Sequence, residues 1–274
     1  MKANKIEHGS RKVLVGGLIL LGILIGGLVF SYGKLKDLYV EQCEIRDMAA
    51  QVEITAGKMV RPGTIADVFG LKVGANLAKI DFAARREDVL KSIPNLREIR
   101  ITRRLPDKVF IAAEERTPIA RMGFLGDRSI TGRVVDADGM VFDCMRGTQT
   151  LPTIREPGKP GTQRGSFVKG RTLAALKLVE ACRDPEFLEL GVLEVDTFKH
   201  DFLVVTLGNY SRVKILWEEM DESTPSGQTP TARKDLLSRL TLLRNTIRSK
   251  VTPDAVIWNA TIPGRIFADT QGKL

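Results

Sequence analysis

Apolar and polar positions divide the chain into an unbroken apolar run and two longer segments of mixed strand-like and helix-like patterning. The run, Val13 to Phe30, reads VLVGGLILLGILIGGLVF without a charged residue. A helix over it would be about 27 Å long, close to the hydrocarbon thickness of a bilayer. Its backbone amides would satisfy one another there, so the pattern predicts a transmembrane helix over residues 13–32. Ser31-Tyr32-Gly33 has the small-x-small form of a cleavage site, but the run exceeds the roughly 7–15 apolar residues of a signal peptide, which favours an uncleaved anchor. Gly22 and Gly26 have the spacing of close-packed spans, but glycine is common in spans and the spacing carries no weight.

Lys2, Lys5, Arg11 and Lys12 precede the run, opposed by Glu7, whereas Lys34 and Lys36 after it are balanced by Asp37 and Glu41. The positive-inside rule makes residues 1–12 a cytoplasmic tail and puts the remainder outside. Residues 33–48 read as a charged juxtamembrane stalk. Beyond it, Gln51-Val52-Glu53-Ile54 alternates as a short strand. Pro62-Gly63 forms a turn, Thr64 to Asp67 has the form of a capping box opening a short helix, and Gly70 ends it. Asp81 caps a second helix to about Ser92, with Phe82, Val89, Leu90 and Ile93 on one face and Pro94-Asn95 as its stop. Ile99–Arg103 and Val109–Glu115 alternate around a turn at Leu105-Pro106-Asp107-Lys108. The order is β-α-α-β-β, the outline of a POTRA domain over residues 49–118.

The second segment starts with a loop at Pro157–Gly161 and a helix from about Leu173 to Cys182, whose Leu173, Leu176 and Val179 share a face. Val192–Val195, Phe202–Leu207 and Val213–Trp217 read as strands. Asp221–Thr231 reads as an exposed loop, and Ala232–Lys250 as an amphipathic helix carrying Leu236, Leu240, Leu243 and Ile247. A strand over Ala255–Ile262 precedes Ile266-Phe267-Ala268. The fold class is therefore α+β: a transmembrane helix, a βααββ domain, and a mixed domain over residues 119–270 with a C-terminal edge strand.

The net charge of +9 over 274 residues would favour nucleic acid, but the charges are interleaved along the chain. With three Tyr, two Trp and no basic-aromatic motif, nucleic acid is not an expected partner. The two histidines are His8, in the cytoplasmic tail, and His200, in a turn. No nucleophile elbow, Cys-His pairing, phosphate loop or dinucleotide fingerprint is present. Cys43, Cys144 and Cys182 have no metal-ligand spacing and are odd in number, against a disulfide framework; a Cys144–Cys182 bridge is the one open pairing. The Asn209 and Asn259 glycosylation triplets are of a kind that arises by chance. The expectation is a protein that is not an enzyme and takes no cofactor, metal or small-molecule substrate.

Several motifs in order then carry a resemblance. A helix ends at Ile93-Pro94-Asn95, a strand ends Arg103-Arg104-Leu105-Pro106, and the next ends Glu115-Arg116-Thr117-Pro118-Ile119-Ala120. Val134 to Phe142 (VVDADGMVF) and Leu151-Pro152-Thr153-Ile154 follow. This series resembles the FtsQ/DivIB family of bacterial cell division proteins, although Thr55-Ala56-Gly57 displaces a glycine usual after the first strand. Pro94, Arg103, Pro106, Glu115, Arg116 and Pro118 are its signature here, and most are expected to define the fold rather than touch a partner. The resemblance implies a non-catalytic scaffold of the division septum in the inner membrane. It also implies divisome partners resembling FtsB and FtsL, the former adding a strand to the last sheet edge. Ile257, Trp258, Asn259, Ala260, Thr261, Ile262 and Phe267 occupy that position. The family's charged V-D-L-R-Y is here Val256-Ile257-Trp258-Asn259-Ala260, so only backbone pairing carries over. The runner-up function is a POTRA-bearing envelope assembly or transport factor, and a peptidoglycan-processing enzyme is a third.

Overall fold

The computed structural model describes residues 7–104, 106–124, 132–144, 146–158, 162–217, 220, 230–249 and 255–269, without the side chains of 7–20, 22, 23, 37, 230 and 269. These residues form two compact units, one of residues 1–89 with 99–113, the other of 90–98 with 114–274.

In the first unit, helix α1 (Glu7–Gln42) joins the apolar run and the predicted stalk without a break. Among the described residues no helix is long and apolar enough to cross a membrane, and the side chains of Val13–Leu20, Gly22 and Ile23 are not described. The C-terminal end of α1 is tied down locally. Asn76 Nδ2 donates to Val40 O at 2.6 Å, and Leu77 N donates to Cys43 O at 2.9 Å.

Next come α2 (Met48–Gln51) and β1 (Val52–Thr55), so the predicted strand starts one residue late. Gln51 is the reason. Its Oε1 accepts from Arg46 N and Asp47 N, and its Nε2 donates to Glu44 O, so this buried amide closes a loop instead of entering the ladder. Helix α3 (Pro62–Phe69) begins before the expected capping box. Pro62, with no N–H to satisfy, takes the first helical position, and Thr64 falls inside the helix. Gly70 ends it at φ 72°, as expected.

Asp81 Oδ1 accepts from Ala83 N and Ala84 N and so opens α4 (Phe82–Ser92). The strands β2 (Leu96–Arg104) and β3 (Lys108–Glu115) complete a three-stranded sheet of order β1-β3-β2, with β1 parallel to β3. Ile65 and Phe69 of α3, Phe82 and Val89 of α4, and Ile99, Val109 and Ile111 of the strands are buried, with the two Phe rings 5.9 Å apart.

The second unit contains β4 (Pro118–Phe124), β5 (Arg133–Asp136), β6 (Val141–Asp143), β7 (Thr153–Glu156), α5 (Gly170–Ala181) and β8 (Glu194–Asp196). After them come β9 (Phe202–Thr206), β10 (Arg212–Leu216), α6 (Pro230–Ser249), β11 (Ile257–Ala260) and β12 (Phe267–Asp269). They build a nine-stranded sheet of order β12-β11-β10-β9-β8-β7-β4-β5-β6. Two helical crossovers join parallel neighbours: β7 to β8 through α5, and β10 to β11 through α6.

Both helices cover the same face of the sheet, where Met122, Ile154, Val195, Val205, Val213 and Trp258 form one cross-strand row. Helix α5 is buried beyond its predicted stripe, since Ala174, Ala175 and Leu178 are also covered. Helix α6 begins at Pro230, two residues before the expected start, and 221–229 of the predicted loop lie outside the described residues. The same holds for 159–161 of the loop at Pro157–Gly161.

Candidate partner-binding edge

β11 is flanked on both sides. It pairs in parallel with β10 (Val213↔Trp258, Ile215↔Ala260) and antiparallel with β12 (Trp258↔Ala268, Asn259↔Phe267). The edge expected over Ile257–Ile262 therefore moves one strand outward, to Phe267–Asp269. The reason is local turn chemistry. Asn259 Oδ1 accepts from Thr261 N and Thr261 Oγ1, ending β11. Gly264, at φ 69°, then lets the chain reverse after Pro263 and lay β12 alongside.

Ile257, Trp258 and Ala260 are buried, Asn259 and Thr261 are half-buried, and Ile262 and Phe267 are each 47% exposed. At the other end of the sheet, β6 is not open. Val141 N donates to Ser166 O, Gly165 N donates to Val141 O, and Met140 bridges Phe167. Among the described residues, β12 is thus the uncovered end of this sheet.

A buried arginine braces that end from behind. Arg239 of α6, 5% exposed, donates through Nη1 to Ala260 O at 2.6 Å and through Nε to Asp235 Oδ2 at 2.6 Å. The guanidinium thus satisfies the last carbonyl of β11, and Asp235 balances its charge. Sequence patterning misses this contact because Arg239 reads as one more solvated charge on an amphipathic helix.

The face of the sheet opposite the helices carries both polar and apolar residues. Gly123, Arg155, Asp196, Val204, Lys214, Asn259 and Phe267 follow one another across seven strands. Arg155 Nε pairs with Glu194 Oε2 at 2.6 Å. Burial, and then the neighbouring Glu194, push the Asp196 carboxyl up to about 6, against the pull of Arg155 and Arg212.

The signature residues serve different ends. Arg103 donates to Ile80 O and lies 4.3 Å from the Phe82 ring centre, and Pro106 sits in the β2–β3 turn. Pro94 is buried after α4, Glu115 closes β3, and Pro118 opens β4 beside an irregular register with β5. Arg116 Nη1 pairs with Asp136 Oδ2 at 2.5 Å and with Asp138 Oδ2 at 3.4 Å, while Arg97 Nε reaches Asp138 at 3.1 Å. Cys43, Cys144 and Cys182 are free and buried, so the Cys144–Cys182 bridge is not formed, and burial pushes the Cys182 thiol up to about 12.

These features define an α+β protein whose larger sheet ends in an exposed strand. No protein-family model matches the chain. It is 21% identical over 169 residues to the cell division protein FtsQ of Corynebacterium glutamicum, an overlap covering 62% of this chain and 67% of that protein. This similarity supports a distant relationship to the FtsQ/DivIB family.

Proposed function

We propose that this chain is a non-catalytic scaffold of the bacterial division machinery. It is anchored in the inner membrane by residues 13–32, with its N-terminus cytoplasmic and residues 33–274 extracytoplasmic. In this reading residues 49–118 are a POTRA domain and 119–270 a β-domain, and β12 takes an added strand from a bitopic partner of the FtsB type, itself associated with an FtsL-type protein. The observation that carries the reading is the open β12 edge. Its unpaired backbone groups form a ladder for another chain, and the exposed Phe267 and Ile262 flank it with apolar contacts. The distant relationship to FtsQ supports the cellular setting.

The first experiment is to image the full chain, tagged at its N-terminus, in dividing cells of its own organism. Concentration at the septum is the expected result, and uniform envelope staining through division would overturn the divisome reading. Alkaline extraction of the same cells tests the anchor. The chain should stay with the membrane pellet, and its release would remove the transmembrane assignment.

A further inference from the structure

Helix α1 does not stop where the apolar run stops. It continues from Phe30 to Gln42 without a break, which at 1.5 Å per residue adds about 18 Å of helix. From Tyr32 to Tyr39 the described side chains are exposed, so packing against the first unit does not support this stretch. A free helix of about a dozen residues is marginal in water, because its first turn is costly to form. Here the apolar run supplies the preceding turns, and the first unit closes the far end. Val40 O, one of the last carbonyls of α1, accepts from Asn76 Nδ2 at 2.6 Å, and Tyr39 O accepts from Cys43 Sγ at 3.2 Å. Just beyond, Ile45 N donates to Ala75 O and Gly74 N donates to Ile45 O, each at 2.8 Å. Cys43 and Ile45 are fully buried. The end of the helix is thus built into the first unit, with no free linker between them.

We propose that α1 is a rigid stalk that fixes the height and the rotational setting of the first unit above the membrane, and that recruitment to the septum depends on that setting. The proposal rests on the membrane reading of the proposed function; the β12 edge plays no part in it. Each headgroup layer is about 5–7 Å deep, so a further 18 Å of helix, roughly, holds the first unit clear of the lipid. Its position is then set by α1 rather than by lipid contact. A stiff spacer presents a surface at one height and one azimuth, whereas a flexible one spreads it through a volume and dilutes it. The partners that gain from this are proteins crossing the same bilayer, whose own surfaces are held at a set height. Gly33 is the weak point of the stalk, since glycine disfavours a helix interior. A Cβ at Gly33 would meet nothing within 4 Å, so alanine fits there.

The test pairs a distance measurement with insertions in the full chain. Nitroxide labels at Ser31→Cys and Lys79→Cys, read by electron spin resonance in lipid vesicles, should give one narrow distance distribution. The native thiols are buried and stay unlabelled. Gly-Gly-Ser inserted after Lys36 should broaden the distribution about threefold. An uninterrupted chain as broad as this variant would overturn the rigid stalk. Asn76→Asp keeps the oxygen that accepts from Ala78 N and loses the donor to Val40 O. It should broaden the distribution while circular dichroism stays unchanged, and an unaltered distribution would overturn the clamp. In dividing cells, two alanines inserted after Lys36 turn the first unit by about 200° and raise it about 3 Å, whereas four turn it by about 40° and raise it about 6 Å. Septal accumulation should fall at least fivefold with two and less than twofold with four; equal accumulation would overturn the dependence on rotation. Gly33→Ala should leave accumulation intact, and its loss would make Gly33 a working hinge and overturn the stalk. Uniform staining of the unaltered chain would sink the divisome reading instead, while the label distance still decides whether α1 is rigid.

Discussion

Arg116 and Asp136 are 10% and 5% exposed at their side chains, so their ion pair works with little help from water. Asp136 Oδ1 also accepts from Met140 N, which ties the pair to the β5–β6 turn. Within that turn Gly139 adopts φ 88°, and a Cβ there would come within 3.2 Å of Val168 Cγ2. Removing one partner of a buried pair strands the other charge, so Arg116→Ala should cost about 3 kcal/mol of stability, read by urea unfolding. Asp196 behaves in the opposite sense. Its folded carboxyl titrates near 6 against an ordinary 3.8, so the folded state holds the proton more tightly than the unfolded state. Stability should therefore fall as pH rises from about 4 to about 6 and level off above. Solvent screening of this half-buried group keeps the effect to about 1 kcal/mol. Asp196→Asn should abolish that slope and raise stability at pH 7 by a similar amount, as seen in unfolding curves across the range. Arg116 was legible in the sequence because it belongs to a local motif. Asp196 was not, because its burial and its neighbours Arg155 and Arg212 arise only when β8 is set into the assembled sheet.

At the scale of elements, the three-residue strand β12 decides what the large sheet presents to a partner. Along an antiparallel strand, successive N–H groups point alternately toward the neighbour and away from it. Of Phe267→Pro and Ala268→Pro, one should therefore lower the melting temperature by breaking the β11 ladder. The other should keep it and lose capture of an FtsB-type partner in pull-down. Proline at Asn259 belongs to the damaging class, because that residue is paired with both Lys214 and Phe267. Arg239→Met keeps volume but removes the donor to Ala260 O, and should cost about 2 kcal/mol in chemical unfolding and weaken partner capture with it. Periodicity made α4, α6 and the strands β9 and β10 readable to within a residue or two. Capture of a buried carbonyl by Arg239 leaves no periodic trace, so the sequence offered no sign of it.

Over the whole molecule, three free cysteines lie at 0%, 7% and 8% exposure in two separate units. With the Cys182 thiol pushed up to about 12, alkylation of the folded chain at pH 8 should be negligible at that residue. All three should react once urea unfolds both units, and mass spectrometry of partly unfolded samples would show whether Cys43 opens separately from the other two. The sequence by itself determined what depends on near neighbours: the apolar run and its flanking charges, the β-α-α-β-β order, and the helix stops at Gly70 and Pro94. These follow from periodicity, capping and backbone sterics, which act over a few residues. Only the tertiary structure decided which strand lies beside which. β11 is held between β10 and β12, and β6 is covered by the chain around Ser166. α5 and α6 share one face of the sheet and leave Arg155, Asp196 and Lys214 in a row on the other. Ladder pairing is chosen by hydrogen-bond partners far apart in sequence, so the identity of the open edge emerges only when the whole sheet is assembled.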